Sequence, residues 1–170
     1  MNVIQTSLCA GLAACTLAGQ PAAAADASAW VQDTQSAIRL IAGTNKNDDA
    51  RLRAGIEIKL QPGWKTYWRY PGDSGVPPRF DFSGSDNLGR AQVFYPAPHL
   101  FSDETGQSLG YKDSVILPLQ VTPRQAGKPV KLKLKLDYAV CEKLCIPAEG
   151  RAELILGAGA SAFDTALAAS

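Results

Sequence analysis

Histidine is nearly missing from this sequence: His99 is the only one in 170 residues. It is flanked by Pro98 and Leu100 and reads as a structural or surface residue. With a single histidine, no nucleophile triad can be assembled, and no glycine-rich phosphate loop is present either. An excess of one charge is missing too. Lys plus Arg number 17 against 16 for Asp plus Glu, a net charge of +1. With no dense basic stripe, the chain carries no electrostatic case for nucleic acid. No stretch approaches the ~20 consecutive apolar residues of a spanning helix, so none is expected after the N-terminus. There is no internal repeat and no low-complexity linker. The length suits one domain, and 46% apolar residues suffice for a core without many disulfides.

The first 25 residues hold no charged side chain. A short apolar run, Leu8 to Ala18, is followed by Gly19-Gln20-Pro21 and an alanine string. Ala23-Ala24-Ala25 before Asp26 is a small-residue cleavage site, so residues 1–25 read as a secretory signal, although the usual Lys or Arg is absent from its start. A second exit is Leu12-Ala13-Ala14-Cys15, which resembles a lipobox and would make Cys15 a lipid anchor. Simple cleavage is favoured because the apolar run continues past Cys15. Either route delivers the domain to an oxidising compartment with two cysteines left, Cys141 and Cys145.

Period two dominates the rest. Leu52, Ala54, Ile56, Ile58 and Leu60 alternate with Arg51, Arg53, Glu57 and Lys59. Val130, Leu132, Leu134 and Leu136 alternate with Lys131, Lys133 and Lys135. Further strands are predicted at residues 37–41, 79–82, 91–95, 114–121 and 152–156. Turn signals separate them, among them Gln61-Pro62-Gly63, Pro71-Gly72-Asp73 and Thr122-Pro123. Pro118, inside a strand-like run, predicts an edge or a bulge. The expected fold is an all-β, immunoglobulin-like antiparallel sandwich over residues 26–160. Ser161 to Ser170 read as a capped helix start or a truncated continuation.

The informative stretch runs from Tyr138 to Gly150. A long alternating strand enters Cys141, and Pro147 and Gly150 turn the chain into the next strand. The pair therefore sits on a β-hairpin, not on the helix N-terminus that lowers a thiol pKa in thioredoxin-type motifs. The loop between the cysteines is so short that a bridge would constrain the unfolded chain little. On spacing alone, a redox pair and a structural disulfide are near even odds. Trp64, Tyr67, Trp68 and Tyr70 read as packing residues in a loop or a bulged strand and are assigned no chemistry.

From Phe94 to Leu156 the ordered features are Tyr95-Pro96, the loop Phe101-Ser102-Asp103-Glu104-Thr105-Gly106, Tyr111-Lys112-Asp113, Val115-Ile116-Leu117-Pro118-Leu119, and the cysteine hairpin with Ile146-Pro147. Upstream lies Gly63-Trp64-Lys65-Thr66-Tyr67-Trp68-Arg69-Tyr70-Pro71. This set resembles the N-terminal periplasmic domain of the DsbD family of thiol:disulfide interchange proteins, including its ScsB-like branch. One departure is that three residues separate the cysteines, where the best-known members have five. The resemblance implies an immunoglobulin-like domain that relays reducing equivalents. Its donor would be a membrane-embedded DsbD/CcdA-type or thioredoxin-like protein, and its acceptors periplasmic thiol proteins. It also implies a cap from Phe101 to Gly106, with Phe101 as apolar cover and like-charge repulsion from Asp103 and Glu104 keeping a resting thiol protonated. Without the family pattern, Asp103 and Glu104 read as a solvated turn. Tyr138, Asp137 and Glu142 are close enough in sequence to tune the pair. Cys145, further out in the loop, is expected to form the mixed disulfide and Cys141 to resolve it.

Two rival readings remain open. Two soft thiolates suit Cu(I), which would make the domain a copper-binding or copper-tolerance protein. Against that stand the absence of a βαβ pattern and a single histidine. The other rival is an immunoglobulin-like module with an inert bridge. No organic cofactor or resident metal is expected.

Overall fold

The computed structural model describes residues 25–46, 50–73, 75–103 and 106–170. The expected leader and Cys15 lie outside them. Among these described residues, eleven strands and one short helix follow in chain order: β1 (Val31–Gln32), β2 (Ser36–Ala42), β3 (Leu52–Leu60), β4 (Lys65–Gly72), β5 (Arg79–Asp81), β6 (Leu88–Val93), β7 (His99–Asp103), β8 (Gly106–Lys112), β9 (Ser114–Pro123), β10 (Val130–Cys141), β11 (Cys145–Leu156) and α1 (Asp164–Ala168). One sheet has the order β1-β2-β3-β9-β6. The other runs β11-β10-β4-β8-β7, with β5 pairing β10 beside β4. Every pairing is antiparallel. The chain is an antiparallel β-sandwich of immunoglobulin type, as the period-two runs predict.

The alternation explains the layers. In β10, Val130, Leu132, Leu134, Leu136, Tyr138 and Val140 face the core, where they meet Ile38, Leu40, Ile56, Ile58, Leu117 and Val121 of the facing sheet. Full burial of each such aliphatic side chain contributes about 1.5–3 kcal/mol. The intervening lysines lie on the outer face, where Lys131 pairs with Glu153 and Lys135 with Asp137 and Glu149. A buried hydrogen bond between the hydroxyls of Ser36 and Tyr138, 2.7 Å long, ties β2 to β10 across the sandwich.

Two expectations need correction. Pro118 is neither at an edge nor in a bulge of the β3–β9 ladder: β9 is an interior strand, and Pro118 lies opposite Gly55 in an unbroken register. Its carbonyl accepts from the Phe94 amide, just past the end of β6. A residue's N–H and C=O point to the same side of a strand, so the missing donor faces the end of β6 and costs no bond to β3. Secondly, residues 99–103 and 106–112 are strands that the alternation does not reveal. Gly110 permits this packing, because a Cβ there would meet the Thr66 carbonyl oxygen of β4.

At the C-terminal end, Phe163 occupies the N-cap position of α1 without a side-chain cap. The Ser161 hydroxyl donates to the Ala42 carbonyl at 2.6 Å, and Asp164 accepts from the Thr44 amide at 2.9 Å. Leu167 is buried against the first sheet beside Gly43 and Gly55.

Candidate functional site

The cysteine pair is built into the end of the β10–β11 ribbon. The two strands pair in unbroken register from Val130↔Leu156 to Cys141↔Cys145, leaving a three-residue turn, Glu142 to Leu144. Cys141 and Cys145 therefore stand directly opposite one another, with Cα atoms 4.1 Å apart, and are joined by a disulfide. Their exposures differ sharply. Cys141 is 2% exposed, whereas Cys145, Ile146 and Pro147 are all exposed and Leu144 is 81% exposed. An incoming sulfur thus has access to Cys145 and not to Cys141.

Cys141 is buried because β4 crosses the end of β10, with Cys141 opposite Lys65 and Val140 opposite Thr66. The Thr66 hydroxyl donates to the Ala139 carbonyl at 2.9 Å and fixes the crossing. Alternation then places Tyr67 on the outer face, packed with Ala139 and Cys141. Its hydroxyl lies 3.0 Å from Cys141 Sγ and 3.1 Å from Cys145 Sγ. Neither sulfur of a disulfide carries a proton, so the phenol is the donor to both. Tyr67 is itself buried: the chain after β4 folds back so closely that a Cβ on Gly75 would stand 2.7 Å from its ring.

This arrangement fits thiol–disulfide exchange. Attack on Cys145 Sγ breaks the bridge and leaves the electron pair on Cys141 Sγ. The Tyr67 hydroxyl is already aimed at that leaving sulfur, and a hydrogen bond to a charged group contributes about 1.5–3 kcal/mol. No helix N-terminus serves the pair among the described residues, since α1 packs on the other sheet.

The candidate tuning residues divide. Tyr138 is not brought to the sulfurs: three residues before Cys141, it faces the core and bonds Ser36. Burial holds its phenol above the ordinary range, against the opposing effect of the Ser36 bond. Asp137 shares the outer face but is engaged by Lys135 at 3.2 Å. Glu142 lies in the exposed turn beside Gly63. The expected cap is a strand pair, with Phe101 to Asp103 ending β7 and Gly106 opening β8. The Phe101 ring lies 5.2 Å from Lys65 Nζ, on the strand that crosses Cys141. The Asp103 side chain and the whole of Glu104 lie outside the described residues. His99 packs near Phe101, with ring centroids 6.3 Å apart.

Sequence reasoning missed Tyr67. Its partners are 74 and 78 residues away, and the aromatic cluster around it masks the alternation. The usable signal was Lys65-Thr66-Tyr67-Trp68 read as a strand, which separates Tyr67 from Thr66 and Trp68.

The family model described as thiol:disulfide interchange protein DsbD, N-terminal, matches residues 29–157. The chain belongs to this family. Among solved structures, the N-terminal periplasmic domain of ScsB from Proteus mirabilis is similar, with 23% identity and a TM-score of 0.69. The match covers 85% of this chain and 58% of that one, so the chain spans under two thirds of the ScsB structure. The N-terminal domain of Neisseria meningitidis DsbD in the reduced form gives a TM-score of 0.43 at 19% identity, over 72% of this chain and 86% of that one. No curated protein matches the chain. Membership in this family agrees with the fold and with a cysteine pair suited to thiol:disulfide interchange.

Proposed function

We propose that this domain is a periplasmic thiol:disulfide interchange module that relays reducing equivalents through Cys141 and Cys145. The observation that carries the reading is the asymmetry of one bridge: Cys145 exposed, Cys141 buried, and both sulfurs on the Tyr67 hydroxyl. A bridge kept only for stability gains nothing from an exposed sulfur. The electrons come from a membrane-embedded DsbD/CcdA-type or thioredoxin-like dithiol and pass to periplasmic thiol proteins. Residues 1–25 direct export, with Cys15 the anchor if the lipobox is used. Phe101 caps the pair in the absence of a partner, a role supported by its place beside Lys65 on the strand next to Cys141.

In the exchange, Cys145 forms the mixed disulfide and Cys141 resolves it. With Cys141→Ser, a covalent complex with a thioredoxin-like partner accumulates in periplasmic extract; with Cys145→Ser it is scarce. The reverse pattern overturns the assignment of roles. Absence of complexes from both variants, together with a bridge that resists millimolar dithiothreitol, sinks the interchange reading in favour of a structural disulfide.

A further inference from the structure

The pairing registers place four side chains in one row across the second sheet. Cys145 stands opposite Cys141, Cys141 opposite Lys65, and Lys65 opposite Lys112, on β11, β10, β4 and β8 in turn. Directly paired residues point to the same face, here the outer face that carries the disulfide. Two cysteines are thus followed by two lysines. Like charges directly opposite one another repel, so Lys65 and Lys112 gain from an anion in their row. The oxidised bridge is neutral and supplies none. In this state the Lys65 ammonium is drawn along β8, away from its own rung. Its Nζ donates to Ser108 Oγ at 3.4 Å and stands 5.2 Å from the Phe101 ring centroid. Phe101 and Ser108 are themselves paired.

We propose that Lys65 is the cation of the exchange reaction, held back by Phe101 in the resting domain and released to the Cys141 thiolate when a partner lifts that ring. This deepens the interchange reading and rests on it. A partner thiolate bonds to Cys145 Sγ, the Cys141–Cys145 bond breaks, and the electron pair stays on Cys141 Sγ. The Lys65 ammonium keeps its protons, and a negative charge has appeared in a row that lacked one. Cβ atoms of directly opposed residues lie ~4.5–5.5 Å apart, within reach of lysine's flexible stem. Rotation of one side chain therefore brings Nζ to the sulfur. A neighbouring lysine lowers a thiol pKa as a helix N-terminus does, and α1 packs on the other sheet. Tyr67 and Lys65 then have different tasks. The phenol is already at both sulfurs of the intact bridge. The ammonium contributes only as charge develops on Cys141, which is where an interaction speeds a reaction. When Cys141 attacks back at Cys145 Sγ, the partner leaves as a thiolate, the bridge reforms, and Lys65 returns to Phe101 and Ser108. Phe101 thus restrains the pair by withholding a cation, whether or not its ring covers a sulfur.

The test is a set of variants of the full chain, each oxidised and then reduced with 2-mercaptoethanol, a thiol with no fixed charge. Acid quench and mass spectrometry of the Cys141 and Cys145 peptides give the rate. Lys65→Met keeps an apolar stem and removes the charge, and should slow reduction about tenfold. Lys65→Gln is a second neutral variant and should behave alike. Lys65→Arg restores the charge and should stay within about threefold of the parent. Phe101→Ala should speed reduction about fivefold with Lys65 in place, and less than about twofold when combined with Lys65→Met. Denaturation midpoints confirm that each variant is folded during the assay. Neutral variants as fast as the parent, or an arginine variant as slow as the neutral ones, overturn the role of Lys65. Equal acceleration by Phe101→Ala with and without Lys65→Met overturns the withholding of the cation. Both results leave interchange intact. A bridge that reacts with neither 2-mercaptoethanol nor a thioredoxin-like dithiol sinks the interchange reading, and the role of Lys65 with it.

Discussion

The two ends of the β10–β11 ribbon share strands, register and alternation, yet they do opposite work. At the base, Val130, Leu132, Leu134 and Leu136 are sealed between the sheets, and Lys131–Glu153 and Lys135–Glu149 pair across the outer face. At the tip Ile146 is 40% exposed although its rung partner Val140 stays buried, and the outer face holds the disulfide. Burial of apolar area at the base fixes the register. The tip inherits that register, and its own packing lies on the β10 side, where β4 and Tyr67 cover Cys141. A bridge with one exposed cysteine can therefore sit at the tip while its register is set some distance away.

Leu136→Ala should show the largest effect. Truncating a fully buried leucine costs about 2–5 kcal/mol, read as a lower denaturation midpoint. The rate of bridge reduction by dithiothreitol in the native state should change little. A comparable loss from Leu144→Ala, at the exposed turn, would erase the contrast between the two ends.

Tyr67→Phe sharpens the comparison from the other side. It removes the hydroxyl facing both sulfurs and leaves the ring packed under Gly75. Reduction by dithiothreitol should slow by about tenfold, since the leaving thiolate loses a charge-assisted hydrogen bond. The denaturation midpoint should move less than for Leu136→Ala. An unchanged reduction rate would make Tyr67 a packing residue only.

The smallest effect concerns Tyr138, whose hydroxyl is spent on Ser36 rather than on sulfur. Burial raises its pKa above 10.0, the Ser36 bond lowers it, and the charge of Asp33 raises it. The unfolded phenol ionises near its ordinary value while the native one still holds its proton. The contribution is full below about pH 10 and is lost as pH rises through the higher native pKa. Tyr111, also raised mainly by burial, acts in the same direction. Stability should fall above pH 10, and less steeply in Tyr138→Phe than in the parent. Equal slopes would show that Tyr138 does not titrate differently in the two states.

How much of this was legible in the sequence follows from the range of the forces involved. β10 and its turn could be read because the Val130 to Leu136 alternation is local and uninterrupted, and the cysteine pair because two thiols stood on one hairpin. β4 was obscured by aromatic residues on both of its faces and by a register shift between Tyr67 and Gly72. β7 and β8 are short, and Ser108 and Gly110 take inward or close-packed positions that no hydrophobic pattern announces. Pro118 misled because a proline's position is judged by what lies opposite it, here the end of β6. Tyr67 could not be assigned from spacing, because strand order alone brings it to the sulfurs.

Pairing in register has a kinetic consequence. The ladder that ends at Cys141 and Cys145 is built by the rungs before them and not by the bond between them, so reduction leaves the two thiols facing each other across its last rung. Each is present to the other at a high effective concentration, with the orientation for ring closure already set. Were Cys145 linked to a partner, as proposed, Cys141 would be the nearest nucleophile and would need no search to reach it. On the proposed interchange reading, a covalent intermediate on Cys145 would accordingly be short-lived in the intact domain, and the turn from Glu142 to Leu144 would act as a timer as much as a connection.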